Sequence, residues 1–268
     1  MCIICLGHTC DGLPPPIHSG CACRGDAALV HVACRIQAAK HRQQSSGCTT
    51  GWEECDICHQ IFHGEMAIEL GEEFLRETAG RPELAEEWFA ASEILSNALL
   101  ATGEYARAEA LVRETIPGLQ QAGFNTDDDA KMCALRRKLG HALGLQGKHA
   151  DAQVIYQHCL TNFTHQFGPD DERTLGAGKA LGDSLRAQSR LTEANVILTD
   201  VLERSKRVHG PSSIVTLDCS NSLATVSSKH LVCLPMIPLL FAAYGVLRTA
   251  HIQVRMVVGL QQFPSNRE

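Results

Sequence analysis

The chain has 268 residues, 44% of them hydrophobic, and a formal net charge of -6. That much apolar material can bury a core and fits one or two folded units, which excludes an intrinsically disordered chain. The acidic balance supplies no basic field, so neither nucleic acid nor an anionic membrane is an expected partner.

Cysteine is the outlier. Of 13, nine (Cys2, Cys5, Cys10, Cys21, Cys23, Cys34, Cys48, Cys55 and Cys58) fall in the first 58 residues. No charged-then-apolar leader precedes Cys2, so a reducing compartment and metal thiolates are expected rather than a secreted disulfide framework. Read in order, Cys2-x2-Cys5, Cys21-x-Cys23, His31-x2-Cys34 and Cys55-x2-Cys58 make four paired half-sites. A pair on a tight turn supplies two corners of a tetrahedron and two pairs close one ion, so eight ligands predict two structural Zn2+ ions. Cys10 and Cys48 lack a neighbour at ligand spacing and are expected to be free loop thiols; His8, His18 and His59 are expected to be solvated.

The ligand order of four Cys, one His and three Cys, with seven residues between Cys23 and His31, resembles the RING-CH (RING-variant) zinc fingers. The residues that carry the likeness are CIICL at 2–6, CACRGDAALVHVAC at 21–34 and Trp52-x2-Cys55-x2-Cys58. The resemblance implies a small cross-braced module with a few short strands and one helix. It also implies interleaved pairing, with Cys2, Cys5, His31 and Cys34 on one zinc and Cys21, Cys23, Cys55 and Cys58 on the other. A segment too short and polar to build its own core would then draw roughly 10 kcal/mol or more of folding free energy from each metal. The PHD finger, a reader of histone tails, shares the ligand order but has a shorter gap before its His and an aromatic residue two before the seventh ligand. Trp52 stands three before Cys55, which favours RING-CH.

A RING module has no nucleophile: by the family likeness it docks a ubiquitin-conjugating enzyme and holds the thioester-linked ubiquitin for attack by a lysine, so catalysis is by positioning. Ile4, just before the second cysteine, is the implied docking contact, whereas Ile57 is expected to pack inside its loop. Many family members carry a Trp four residues after the sixth ligand. This chain has Ala38, which removes a large anchor and predicts weaker docking.

After Gln60–Gly64, helix formers take over. MAIELGEEFLRET and ELAEEWFAASEILSNALL place apolar residues at three-to-four spacing and read as amphipathic helices, separated by the breaker Gly80-Arg81-Pro82. A period of about 42 residues then aligns Leu139 with Leu181 and Leu223, Gly168-Pro169 with Gly210-Pro211, and Thr174 with Thr216. Small residues recur where two helices cross: Leu139-Gly140 and Leu181-Gly182 in the first helix, Gly103, Gly147 and Ser189 at the turn, Ala108, Ala152 and Ala194 in the second. The pattern, clearest in GKHADAQVIYQHCL at 147–160 and weaker in GEYARAEALVRETI at 103–116, resembles the tetratricopeptide (TPR) repeat in its long kinesin-light-chain form. That likeness implies a stacked α-solenoid whose concave face binds a protein or peptide. Tyr156, Leu160, Leu181 and Leu198 read as packing residues, Asp127-Asp128-Asp129 as a solvated loop, and His141, His149, His158 and His165 as too scattered for a metal site.

LDCSNSLATV at 217–226 opens a fourth unit that breaks at Leu231 and Met236. The uncharged run 231–247, interrupted by Pro235 and Pro238, is expected to be a degenerate capping helix or an aberrant end to the coding sequence rather than a membrane span. The predicted plan is a zinc module at 1–62, connecting helices at 63–90, a TPR array at 91–228 and a poorly defined tail at 229–268. As a whole it reads as a cytoplasmic or nuclear ubiquitin ligase whose array selects the substrate; the alternative is a non-catalytic zinc-binding TPR scaffold.

Overall fold

The computed structural model describes residues 1–6, 13–24, 28–124 and 130–233, with side chains as far as 226. Cys10, His8, Asp127-Asp128-Asp129, Pro235 and most of the apolar run 231–247 lie outside the described residues.

The head is built on two strands and a helix. Strand β1 (Ile17–His18) pairs antiparallel with β2 (Leu29–Val30), in the register Ile17 opposite Val30. Helix α1 (Val32–Ser46) starts directly from His31, whose extended backbone serves as N-cap, and stops at Gly47, which takes the left-handed conformation at φ 67°. A short 3-10 turn (Thr49–Trp52) and an isolated bridge between Glu54 and Ile61 complete it.

Helix α2 (Gly64–Thr78) follows at once. It buries Met66, Ala67, Leu70 and Phe74 on one face, the stripe that three-to-four spacing predicts. This face meets the head: Trp52 is fully buried and stacks on Phe74, with ring centroids 4.7 Å apart and planes 3° from parallel. Val30, Ala39, Phe62, Ala91 and Ala98 join the same cluster. A segment too short and polar to build a core of its own finds one in its neighbours: the head completes its core with α2 and helix α3 (Ala85–Thr102). Apolar area too small to stabilise a module alone suffices once a helical neighbour closes it. Helix α3 also runs unbroken across residue 90, so no packing boundary falls there.

The remaining helices among the described residues are α4 (Tyr105–Gln121), α5 (Ala130–Leu145), α6 (His149–Phe167), α7 (Glu172–Ala187), α8 (Leu191–His209) and α9 (Ile214–Cys233). The pairs α3–α4, α5–α6 and α7–α8 are the three repeats, and α9 opens a fourth. Tyr156, Leu181 and Leu198 are buried and Leu160 packs against them. Helix crossings are close because one partner lacks a side chain. A Cβ on Gly140 would lie 2.8 Å from Tyr156 Cε1, and one on Gly182 2.5 Å from Leu198 Cγ. In the first unit Ser96 and Val112, both buried, stand at the positions of Gly140 and Tyr156.

The turns are left-handed at Gly103, Gly147 and Ser189, with φ 84°, 79° and 63°; the serine adopts a conformation that glycine reaches without strain. Polar ties stitch one repeat to the next. Ser184 Oγ donates to the His149 carbonyl at 2.7 Å, and Gln146 Nε2 and Lys148 Nζ both reach Glu109 at 2.8 Å. Lys148, Gln146 and Arg113 together hold the Glu109 carboxyl down to about 2.

Candidate metal centres and interaction grooves

Four segments deliver the eight candidate ligands. Cys2 and Cys5 come from the first turn, Cys21 and Cys23 from the chain after β1, His31 and Cys34 from the start of α1, and Cys55 and Cys58 from the turn after the 3-10 segment. They gather in two groups, Cys2, Cys5, His31 and Cys34 in one and Cys21, Cys23, Cys55 and Cys58 in the other, with the donor atoms of each group within 4.8 Å of one another. The pairing is interleaved, first segment with third and second with fourth. No other group of three or more such side chains occurs among the described residues.

The geometry suits a small tetrahedral cation. A tetrahedron with metal–sulfur bonds of about 2.3 Å has edges of about 3.8 Å. Cys23 Sγ and Cys55 Sγ are 3.7 Å apart, and His31 Nδ1 lies 3.3 Å from Cys5 Sγ and 3.7 Å from Cys34 Sγ. None of the seven cysteines in the two groups forms a disulfide. His31 is buried with Nδ1 turned to the thiols, while its Nε2 is buried without a hydrogen-bond partner. The orientation marks Nδ1 as the coordinating atom.

Protonation follows from the crowding. Burial and the neighbouring Cys5 and Cys2 push the Cys34 thiol up to about 12, and burial with Cys21, Cys58 and Cys55 raises Cys23. The backbone amide of Gln60 brings Cys58 down to about 6, and amides of Cys5, His31 and Ile4 outweigh burial to lower Cys2. Thiolates packed this closely repel one another, and a divalent cation removes that repulsion. Of the two isolated cysteines, Cys48 bonds Thr50 Oγ1 at 3.1 Å and stays outside both groups. His18 and His59 are exposed.

Around the second group, α1 grips the loop electrostatically. Arg35, itself buried, bonds Asp56 Oδ2 at 2.6 Å and the Gly51 carbonyl at 3.1 Å, and its guanidinium lies 5.0 Å from the Phe62 ring centroid. Arg42 holds the other Asp56 oxygen. Burial opposes ionisation of Asp56, but these two arginines keep it below the usual carboxylate range. Beside this clamp an apolar cavity of about 230 Å³ opens on the surface, lined by Ile3, Ile4, Val30, Ala38, Ile57 and Phe62 among others. Ile4 is 42% exposed and Ile57 59% exposed. The expected packing of Ile57 inside its loop is thus corrected. With Cys55 and Cys58 turned inward, the residue between them faces outward, just as Ile4 does between Cys2 and Cys5. That symmetry of the two turns was the signal available in the sequence.

A second groove runs along the array. Its cavity of about 570 Å³ is walled by the first helices of successive units, with Asn97 on α3, Arg137 and His141 on α5, Lys179 and Asp183 on α7 and Asp218 on α9. Lys179 bridges Asp183 and Asp218 at 3.2 and 2.9 Å. Arg137 is exposed, and its guanidinium makes no hydrogen bond or ion pair with a described residue. Burial, with the charges of Arg137, Lys138 and Lys179, holds His141 below its ordinary value.

The sequence model of the tetratricopeptide-repeat family matches residues 179–214, most of the α7–α8 unit and its link to α9. The helices form a tetratricopeptide-repeat solenoid. Human tetratricopeptide repeat protein 23 is 26% identical over 141 residues, which cover 48% of this chain and 31% of that protein. A kinesin light chain of Podosopora anserina with nearly identical TPR-like repeats superposes with a TM-score of 0.52 at 14% identity, covering 82% of this chain and 96% of the other. BtubC (BKLC) from P. vanneervenii gives 0.50 at 13% identity, with 88% and 96% covered. At such identities the likeness is one of fold. The TPR-like helical solenoid is the part of the chain that these comparisons establish. Among the described residues, no helix is long and apolar enough to cross a membrane.

Proposed function

We propose that this chain is a protein-protein interaction scaffold whose TPR array seats a partner in its concave groove, with the head held rigid by two Zn2+ ions. The observation that carries the reading is the groove itself. Repeats stacked in one direction line up polar side chains from α3, α5, α7 and α9 on one continuous surface, and the Arg137 guanidinium stands there with no partner among the described residues. Zinc suits the two donor sets, one of three thiols with an imidazole and one of four thiols, which are closed structural sites with no position left for substrate. Metal chemistry in this reading is confined to folding the head. Cross-linking in lysate should recover bound proteins with the parent chain. Recovery with R137E, whose helicity should match the parent, should fall about tenfold, as loss of one interfacial charge contact predicts. Equal recovery would contradict groove binding.

A second reading, that of a RING-type ubiquitin ligase, is favoured by the apolar cavity between the two cysteine turns. By the RING-CH resemblance, this is where a ubiquitin-conjugating enzyme docks, with Ile4 and Ile57 as its two exposed anchors. Ala38 leaves the wall between them low, so the contact would be weak. In this reading the head supplies no acid, base or nucleophile; it fixes the orientation of a conjugating enzyme charged with ubiquitin while the array holds the protein whose lysine attacks the thioester and displaces the enzyme's cysteine thiol. Self-ubiquitination with a panel of conjugating enzymes is expected to give a signal that Ile4→Ala and Ile57→Ala each reduce about tenfold. Silence across the panel, or activity that survives His31→Ala, rejects the ligase and leaves the scaffold.

A further inference from the structure

Where the head meets the first repeat there is a third cavity, of about 250 Å³, that belongs neither to the metal centres nor to the array alone. The head contributes Trp52, Glu53 and Ile61 to its wall, and α3 contributes Ile94, Asn97 and Ala98. Ile61 is 47% exposed there, a large apolar side chain left in solvent at the mouth of an apolar recess. The surroundings are rigid. Trp52 is anchored by its stack on Phe74 and by donation from Nε1 to Gln43 Oε1 at 2.7 Å.

Charge at the mouth is unbalanced. Glu53 is half-buried, and while its backbone bonds Thr50 and Phe62, its carboxylate makes no hydrogen bond or ion pair with a described residue. The nearby cation, Lys138, is already committed: its Nζ lies 2.6 Å from Asn97 Oδ1 and 3.4 Å from Glu93 Oε1. A carboxylate removed from water without a counter-charge is costly, and the cost is relieved by an incoming cation. An apolar recess topped by an unpaired carboxylate is complementary to a long aliphatic stem ending in positive charge, the form of a lysine or arginine side chain.

Asn97 lines both this cavity and the concave groove, so the two are neighbours on one surface. A residue seated in the cavity would lead its flanking backbone into the groove, which a free small amine would not exploit.

We infer that the junction of the head and the first repeat is a docking pocket for a lysine or arginine side chain of a partner protein segment, with Glu53 as the counter-charge and Ile61 and Ile94 as the apolar walls. The inference adds a positively charged anchor to the partner proposed for the groove, but the pocket is a separate site and does not need Arg137.

Fluorescence anisotropy on the full, metal-loaded chain tests it. The probes are short fluorescein-labelled Gly/Ser peptides with a central Leu-Lys-Leu, and the same peptides with Glu or norleucine in place of Lys. The Lys peptide should bind about tenfold more tightly than either, with affinity falling as salt is added. Glu53→Gln should weaken the Lys peptide about tenfold and leave the norleucine peptide unchanged. Ala101→Phe, at the exposed rim of the cavity, should abolish binding of all three, whereas Glu203→Gln, exposed on α8, should alter nothing. Metal content and far-ultraviolet circular dichroism matching the parent establish that each variant is folded. Equal affinity for the three peptides, no binding of the Lys peptide, or an unchanged affinity in Glu53→Gln overturns the inference. None of these outcomes bears on R137E, so failure of the pocket is distinguishable from failure of the groove.

Discussion

Stripping the metal from the chain, or replacing His31 or Cys55 with alanine, is expected to unfold residues 1–102 while α5 to α9 stay helical. A closed structural zinc site contributes on the order of 10 kcal/mol to folding, as much as the entire stability of an ordinary domain of about 5–15 kcal/mol. The head has few other resources: its two strands are two residues each, and its core is finished by α2 and α3. When the head goes, Phe74 loses Trp52 as its stacking partner, and the apolar face of α2 is exposed with it. The array beyond α4 rests on its own contacts, Tyr156 against Gly140 and Leu198 against Gly182, and no ligand enters them. Hydrogen exchange followed by mass spectrometry resolves the two regions, and metal analysis should count two zinc ions per chain. A purified chain free of metal, with amides of α1 and α2 still protected, would refute the metal-stapled head.

Acid should do the same through the thiols. Cys34, pushed up to about 12 when no cation is present, must give up its proton for a metal to bind, while Cys58, at about 6, has done so already at neutral pH. Binding therefore releases protons, and affinity falls as pH is lowered. Metal content measured against pH should decline on the acid side of neutrality and not on the alkaline side.

The second large effect concerns the weld between head and array. Trp52→Ala is expected to cost about 3–5 kcal/mol, the range for deleting a large aromatic ring from a filled core. Trp52 has no exposed surface, its ring is paired face to face with Phe74, and its indole N–H is bonded to Gln43. Deletion leaves a void between α1 and α2 and an unmatched Gln43. The metal groups do not include Trp52, so zinc stoichiometry should be unaltered. Chemical denaturation should then show two transitions in the variant where the parent shows one, and Trp52→Phe should recover most of the loss. A drop of less than about 1 kcal/mol, or a single transition shared with the parent, would mean that the head and array are coupled elsewhere.

Some of this was legible because local chemistry repeats. The cysteine and histidine spacings are those of tight turns, so the membership of each half-site could be read along the chain; which half-sites meet came from a family likeness, and the fold gathers the same two sets of four. The 42-residue period worked for a similar reason, since Gly140 and Gly182 are glycine because Tyr156 and Leu198 approach them, and each unit repeats the constraint. Ile57 is exposed where spacing alone suggests enclosure between two ligands, because thiols that turn inward drive their neighbour out.

By itself, then, the sequence determined the paired donors, the helical repeat and the small residues at helix crossings, because each is a short-range pattern imposed by turn geometry or by helical periodicity. Only the tertiary structure decided that the head borrows its core from α2 and α3, that Ile4 and Ile57 share one cavity, and that Glu53 stands unpaired beside another. These depend on which surfaces of separate elements come face to face. No period or spacing along the chain encodes that, because it is set by packing between residues far apart in sequence, such as Trp52 with Phe74 and Lys138 with Glu93.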